Sequence, residues 1–389
     1  MVKFVVSRHC GLARIGRLTE WGLPSRIDPD DKMQCILDHQ TPTFMVYTRG
    51  GHVPHLTWDT FNTKVNIQQR PIFHVSYGSV SELMQHCRKT NKPLSDYMGM
   101  PEDALVHFSL FDPLGKRVTG LNRTKDIAIW TKGGKQMINV ESYKDIVTTV
   151  QANTVGSMLD YATPPSCHNK RLSKAVQRTT AFWDEAYNFE TLYCAPFLTL
   201  GGGQSHFHRA TLSKTAAVST HAAGYAVDLL EYSHNTNNDT KRPFNVEEIS
   251  DLLQHSFDGL PVNKPRLVEG AFDPTEIFEL IRLGVDIFDT SYAILMAEQG
   301  KAFRVSDEFP QENTFKTTDF TSDTYQNDLT PIVDDCTCYS CSNYTKAYLT
   351  HLFNTHELLG PMLTVIHNLS EFDRFFEMLR RFLRSDQSW

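Results

Sequence analysis

The sequence predicts an α/β fold: a (β/α)8 (TIM) barrel followed by a C-terminal zinc-binding helical subdomain. Three observations predict it. Short β-branched apolar runs alternate with amphipathic helical patterns about eight times over the first three quarters of the chain, as strand–helix repeats closing into a barrel require. Three thiols then crowd into Cys336-Thr-Cys338-Tyr-Ser-Cys341, with His367 beyond them. Finally, Leu363, Ile366, Leu369, Phe372, Phe376, Leu379 and Leu383 recur at helical spacing. The division expected is a barrel over 1–305 and a metal-binding subdomain over 306–389.

Taken in order, Phe4-Val-Val-Ser7 reads as an opening strand. Lys3, Arg8, Arg14 and Arg17, with no acid before Glu20, faintly suggest a mitochondrial presequence, but the segment lacks helical periodicity. The expected barrel strands are Thr43–Thr48, Ile72–Tyr77, Ala104–Phe111, Thr154–Leu159, Ala195–Leu200, Gly224–Leu230, Pro265–Gly270 and Val285–Phe288. Helices are expected at Ser81–Lys89, Glu141–Gln151, Lys170–Tyr187, Val246–His255 and Pro274–Leu283. The last has Pro in its first turn and Gly284 past its end. In Lys170–Tyr187, Leu172, Val176, Phe182 and Trp183 face inward; Lys170, Arg171, Lys174 and Arg178 face outward, as a solvated face or a nucleic-acid contact. Residues 231–243 and 306–328 read as polar loops. Tyr344–Leu359 reads as one helix broken by Gly360-Pro361, after which the final helix carries His367 in its first turns. An open dinucleotide-binding sheet is not supported, because no Gly-x-Gly-x-x-Gly turn follows an early strand.

A chain of 389 residues, 40% hydrophobic and 21% charged, is long enough for one barrel-sized domain with an extension. No apolar run approaches the length that spans a bilayer. The net charge of -7 lacks the basic footprint of a chain that holds nucleic acid alone. Any such role needs a local patch or a partner.

Five of the eight cysteines are scattered singly, as small buried residues usually are. No secretory signal precedes them, so a disulfide framework is not expected and a cytoplasmic compartment is favoured. Cys336, Cys338, Cys341 and His367 then read as a closed Cys3His zinc site, one Zn2+ per chain and structural. By residue type alone His351 or His356 would serve as well as His367.

Barrel chemistry sits at the C-terminal ends of strands. Asp160, the triplet Gly201-Gly-Gly203 and Asp289 fall there. The aspartates could be a nucleophile and a base, or helix N-caps, the commoner fate of an Asp after a strand. The glycines could admit a ligand to the backbone or only make a tight turn.

Cys336-x-Cys338-x-x-Cys341-x-Asn343-Tyr344-x-x-Ala347-Tyr348-Leu349-x-His351-Leu352-Phe353, with Gly360-Pro361 and Ile366-His367-Asn368-Leu369, resembles the C-terminal signature of tRNA-guanine transglycosylases. Lys264-Pro-Arg-Leu267 with Gly270, Arg282-x-Gly284-Val-Asp-Ile-Phe-Asp289, and Thr41-Pro-Thr-Phe-Met45 with Leu56-Thr57 resemble the same family. The resemblance covers most of the chain. It implies a barrel with a zinc-bearing tail and an exchange of guanine for queuine at the wobble position of GUN-anticodon tRNAs. It also implies that Asp289 matches the nucleophile and Asp160 a base-reading aspartate.

The departures matter more. His107-Phe-Ser-Leu-Phe-Asp112 stands where the family has its Asp-Ser-Gly-Gly-Phe-Gln motif. The stretch Thr290–Gly300, expected as a loop, has no arginine to hold tRNA, and Gly201 replaces a glutamine. Without the general acid/base and the phosphate donors, no catalytic residue is expected; Asp289 and Asp160 are vestigial. The resemblance is thus to a non-catalytic eukaryotic member of the family. Such a member pairs with a catalytic subunit of the same fold, helps seat tRNA, and lies in the cytoplasm, peripherally at the mitochondrial outer membrane. Pairing through Tyr344–Leu359 is implied, and a homodimer when alone. The competing readings are an active enzyme with Asp289 as nucleophile and Asp112 or Asp160 as base, and a zinc-stabilised barrel with an unrelated substrate.

Overall fold

The computed structural model describes residues 2–22, 35–115, 122–161, 167–187, 194–235 and 241–385. An antiparallel sheet, β1 (Lys3–Cys10), β2 (Ala13–Glu20) and β3 (Ile36–Gln40), opens the chain. Then come β4 (Thr43–Tyr47), α1 (Trp58–Lys64), β5 (Ile72–Ser76), α2 (Tyr77–Val80), α3 (Met84–Thr90), α4 (Leu94–Tyr97) and β6 (Leu105–Ser109). A hairpin of β7 (Ile127–Thr131) and β8 (Gly134–Ile138) precedes α5 (Val140–Val150), β9 (Thr154–Gly156), α6 (Asn169–Tyr187), β10 (Ala195–Leu200), α7 (His206–Ala217) and β11 (Gly224–Val227). Next are α8 (Val246–Phe257), β12 (Arg266–Leu267), α9 (Pro274–Arg282), β13 (Ile287–Asp289) and α10 (Ser291–Glu298). A second hairpin, β14 (Lys301–Val305) and β15 (Phe315–Asp319), leads to α11 (Tyr339–Asn343), α12 (Lys346–Asn354) and α13 (Leu359–Arg384).

β4, β5, β6, β9, β10, β11, β12 and β13 close into a barrel of parallel strands. The eight runs expected as strands are these eight, though several are shorter than expected. Local chemistry sets the helix starts. Asp273 and Glu276 form a reciprocal capping box ahead of Pro274, and Asn139 caps α5 by accepting from Ser142 N at 2.8 Å.

Four expectations are corrected. Thr290–Gly300 is not a loop; Ser291–Glu298 is a helix with every residue from Ser291 to Ala297 buried. Tyr344–Leu359 is not one helix; α12 stops at Asn354, and Gly360-Pro361 lies inside the first turn of α13. Proline is tolerated there because a first-turn N–H has no intrahelical partner to lose. Residues 306–328 contain β15 rather than only loop. Arg178 is not part of a solvated face, as described below. Residues 236–240 of the other expected loop lie outside the described residues; ahead of them His234 bridges to Ala271.

The β1–β3 sheet plugs one end of the barrel. Phe4, Leu18 and fully buried Trp21 pack against Ile72, Leu105, Phe197, Leu267 and Ile287 of the strands. Alternation along each strand places Ile72, His74 and Ser76 on one side of β5, and Leu105, His107 and Ser109 on one side of β6. His74 and His107 are register partners. The barrel interior is therefore apolar at its plugged end and polar toward the strand C-termini.

Candidate metal centre and barrel mouth

The thiols of Cys336, Cys338 and Cys341 and the ring of His367 converge so closely that all their ligand atoms lie within 4.8 Å of one another. Cys338 caps α11, and its Sγ accepts from Cys341 N at 3.4 Å, which fixes two thiols by a short helix. Ser340 Oγ donates to Leu363 O at 2.6 Å and ties α11 to α13. The fully buried ring of His367 turns Nε2 to Phe303 O at 3.2 Å and Nδ1 to the thiols. Nδ1 lies 3.3, 3.6 and 3.8 Å from the sulfurs of Cys341, Cys338 and Cys336. Metal–sulfur bonds of about 2.3 Å and a metal–nitrogen bond of about 2.0 Å at tetrahedral angles give edges of about 3.5 Å. The four side chains fit a tetrahedral ion and can hold one. His351 is exposed on α12 and His356 lies beyond its end, so the fold selects His367. A small apolar cluster of Ala302, Phe320, Ile332, Leu349, Leu352 and Leu363 packs around this centre.

The barrel's aspartates are engaged by the protein itself. Asp289, the last residue of β13, accepts from Ser291 N through Oδ1 and from Gly270 N through Oδ2, both at 2.7 Å. The first bond satisfies an N–H at the start of α10, although the N-cap position itself is Thr290, so Asp289 is not the N-cap. Burial raises the Asp289 carboxyl above its ordinary value, although His74 and these bonds oppose the rise. Asp160 lies four residues beyond β9 rather than at its end. It pairs with Arg178 of α6 and accepts from Asn122, and its side chain is fully buried. Asp112, the other candidate base, accepts from Tyr47 OH at 2.7 Å and from Leu114 N at 3.0 Å.

The glycine triplet makes a tight turn. Gly202 has φ +119°, and a Cβ there would meet Arg209 N at 2.8 Å. Buried Arg209 reaches back into the turn: Nε donates to Gly203 O at 2.7 Å, Nη1 to Ser256 Oγ and Nη2 to Asp228 O, both at 3.1 Å.

Sequence reasoning missed the group that fills the barrel mouth. Glu269, just past β12, brings Oε1 to 3.2 Å from His74 Nε2 and 3.3 Å from His107 Nε2. His74 Nε2 also lies 2.8 Å from Ser109 Oγ, whose hydroxyl donates to Phe111 O; the imidazole nitrogen must then carry a proton. His107 Nδ1 pairs with Thr154 Oγ1 at 2.8 Å. Burial pushes the Glu269 carboxyl up, but the two imidazoles outweigh that and hold it at about 2. Burial pulls His74 down, and Glu269 with Asp289 more than offsets this, leaving it raised. For His107 burial prevails and its value falls. The signal available in the sequence was a histidine at the third position of two neighbouring apolar strands.

Outside the barrel, Tyr344, Tyr348 and His351 form a stacked row, with ring centroids 5.9 and 6.2 Å apart and interplanar angles of 11° and 27°. Tyr348 and His351 are three residues apart on α12, Tyr344 precedes that helix in extended conformation, and Leu349 and Leu352 of α12 are buried.

A family model described as queuine tRNA-ribosyltransferase matches residues 10–389 of this chain. The chain is 35% identical over 388 residues to a Caenorhabditis elegans protein named queuine tRNA-ribosyltransferase accessory subunit 2, all of both chains being covered. A Caenorhabditis briggsae protein of the same name is 36% identical over 391 residues, again with full coverage. One from Drosophila grimshawi is 32% identical over 353 residues, covering 90% of this chain and 84% of that protein.

Proposed function

The chain belongs to the queuine tRNA-ribosyltransferase family, and from that premise we propose that it is the non-catalytic accessory subunit of a heterodimeric enzyme. That enzyme exchanges guanine for queuine at the wobble position of GUN-anticodon tRNAs, and the partner subunit does the chemistry. One observation carries this reading. Both aspartates that match the family's chemistry are committed elsewhere, Asp160 to Arg178 and Asn122, and Asp289 to two backbone N–H groups. A nucleophile needs a free lone pair aimed at the sugar and a base or acid for the leaving group. Both carboxylates are buried and held by the protein, Asp160 by a cation, and the segment after Asp289 is a buried helix without arginine.

The remaining parts follow from the same reading. Cys336, Cys338, Cys341 and His367 bind one structural Zn2+, because three thiolates and an imidazole with no open position suit that ion. Zinc joins the residues around 336–341 to α13, and the chain divides into a barrel over 1–305 and a zinc-binding subdomain over 306–389. The row of Tyr344, Tyr348 and His351, with Leu358 77% exposed nearby, forms the face for the catalytic subunit, or for a second copy when the chain is alone. Lys170, Arg171 and Lys174 remain exposed on α6 and contribute a local basic patch for tRNA in the complex. The family resemblance implies that such a subunit lies in the cytoplasm, peripheral at the mitochondrial outer membrane; among the described residues no helix is long and apolar enough to cross a membrane.

The test is incorporation of labelled queuine into a cognate tRNA by this chain alone, by the catalytic subunit alone and by the mixture. Turnover that needs both chains is expected. Turnover by the lone chain would make Asp289 a working nucleophile and sink the proposal.

A further inference from the structure

We propose that Glu269 closes the barrel to a nucleobase, its side chain taking the place beside Asp289 that a base undergoing exchange would need. This rests on the reading above that base exchange is the family's reaction and that this chain does not perform it.

The geometry fixes Glu269 at the centre of the mouth. Its neighbour Gly270 donates to Asp289 Oδ2 at 2.7 Å, so the backbone carrying Glu269 is tied directly to the aspartate. A base leaving a sugar held by Asp289 must sit within a few ångströms of that carboxylate, about 3–3.5 Å for reacting atoms. The carboxylate of Glu269 reaches across this region to His74 and His107, at 3.2 and 3.3 Å. Both imidazoles are fully buried, and the Glu269 side chain is only 11% exposed. Below them Phe197 packs 5.3 Å from the His107 ring, and Trp21 lies 5.4 Å from Phe197.

The chemistry supports the same conclusion. His74 keeps a proton on Nε2 against Ser109, and an anion beside it is its natural partner. An entering neutral base would have to lift Glu269 off both buried imidazoles, separating His74 Nε2 from the carboxylate 3.2 Å away. Glu269 lies just past β12, and Gly270 beside it is tied to Asp289.

The experiment uses the full-length, zinc-loaded chain and 7-deazaguanine, with binding read by equilibrium dialysis. Wild type and Glu269→Gln, which keeps the shape, are expected to retain none. Glu269→Ala, which removes the occupant, is expected to bind at least about tenfold more tightly than wild type. Binding by wild type equal to that of Glu269→Ala would overturn the proposal, as would a folded, zinc-loaded Glu269→Ala that retains no base. Binding by Glu269→Gln would overturn it too. If Glu269→Ala does not fold, the wild type and Glu269→Gln still decide it: either one retaining 7-deazaguanine refutes closure by the side chain, and neither retaining it supports it. Failure of the wild-type mixture to incorporate queuine would instead count against the accessory-subunit reading, and it leaves the dialysis result standing.

Discussion

The ring of His367 donates from Nε2 to the carbonyl of Phe303 at 3.2 Å, which leaves the Nδ1 lone pair facing three thiols. This bond decides the tautomer that a metal needs, because an imidazole ligates through its unprotonated nitrogen. It also connects the metal centre to β14, the strand that leaves the barrel. The centre thus joins three segments far apart in sequence: β14, the cysteine turn and α13.

Removing the metal should therefore loosen the C-terminal subdomain. Structural zinc sites supply on the order of 10–16 kcal/mol of apparent binding energy in isolated peptides. Cys341→Ser or chelation is expected to lower stability by about 5 kcal/mol or more and to reduce metal content from about one ion per chain toward none. Elemental analysis and thermal melts check this. A metal-free chain with an unchanged melt would show that the packing of α13 suffices without the ion.

Arg178→Ala strands the buried Asp160 carboxylate without its cation. Loss of one partner of a buried pair costs about 3–5 kcal/mol. Arg178→Ala is expected to approach that cost, and the double variant with Asp160→Asn should recover part of it. Denaturant melts of both would reveal whether the recovery occurs.

Asp289→Ala leaves the N–H groups of Gly270 and Ser291 unpaired inside the barrel. Each buried orphan costs about 1–3 kcal/mol, so a fall of about 2–5 kcal/mol in stability is expected. Queuine incorporation by the complex should stay within about twofold of wild type, since the residue holds structure rather than substrate. A loss of turnover without a loss of stability would point the other way.

Tyr348 is 42% exposed at the centre of the stacked row. Truncating an aromatic anchor at an interface costs about 1–3 kcal/mol, so Tyr348→Ala is expected to weaken the heterodimer by about ten- to a hundredfold without unfolding the chain. Sedimentation of the mixed subunits measures it. Unchanged association would place the partner on another face.

Glu269, held at about 2 by His74 and His107, makes the fold acid-sensitive. A depressed carboxyl contributes stability that is present above its unfolded value and lost as pH falls through the folded one. The window here runs from pH 4.5 down to about 2. His74 has the opposite sign: its raised value adds stability below pH 6.5 that fades as pH rises through the folded value. His39, buried and pulled down to about 4, adds acid loss from pH 6.5 downward. Acid titration of wild type against Glu269→Gln isolates the carboxylate. The variant should lose the part of the slope between pH 4.5 and 2, and identical curves would refute it.

The barrel was legible because each of its strands is an apolar run bounded by turn residues, and burial on both faces leaves that mark in composition. The cysteine turn was legible because three thiols within six residues need no folding to meet. Thr290–Gly300 misled because Ser291–Glu298 is apolar all round and shows no helical stripe; a fully buried helix has no solvent side to mark its period. The helix break at Gly360-Pro361 misled because proline stops a helix only after its first turn.

The sequence by itself determined the number of barrel strands, the thiol and imidazole ligand types and the absence of arginine from residues 290–300, since these are local patterns or residue identities. Only the tertiary structure decided that His367 rather than His351 meets the thiols. It alone brought Arg178 to Asp160 and carried Glu269 between two histidines. Each of these pairs spans different elements, and which side chains meet across a barrel depends on strand register and helix packing, which no local pattern encodes.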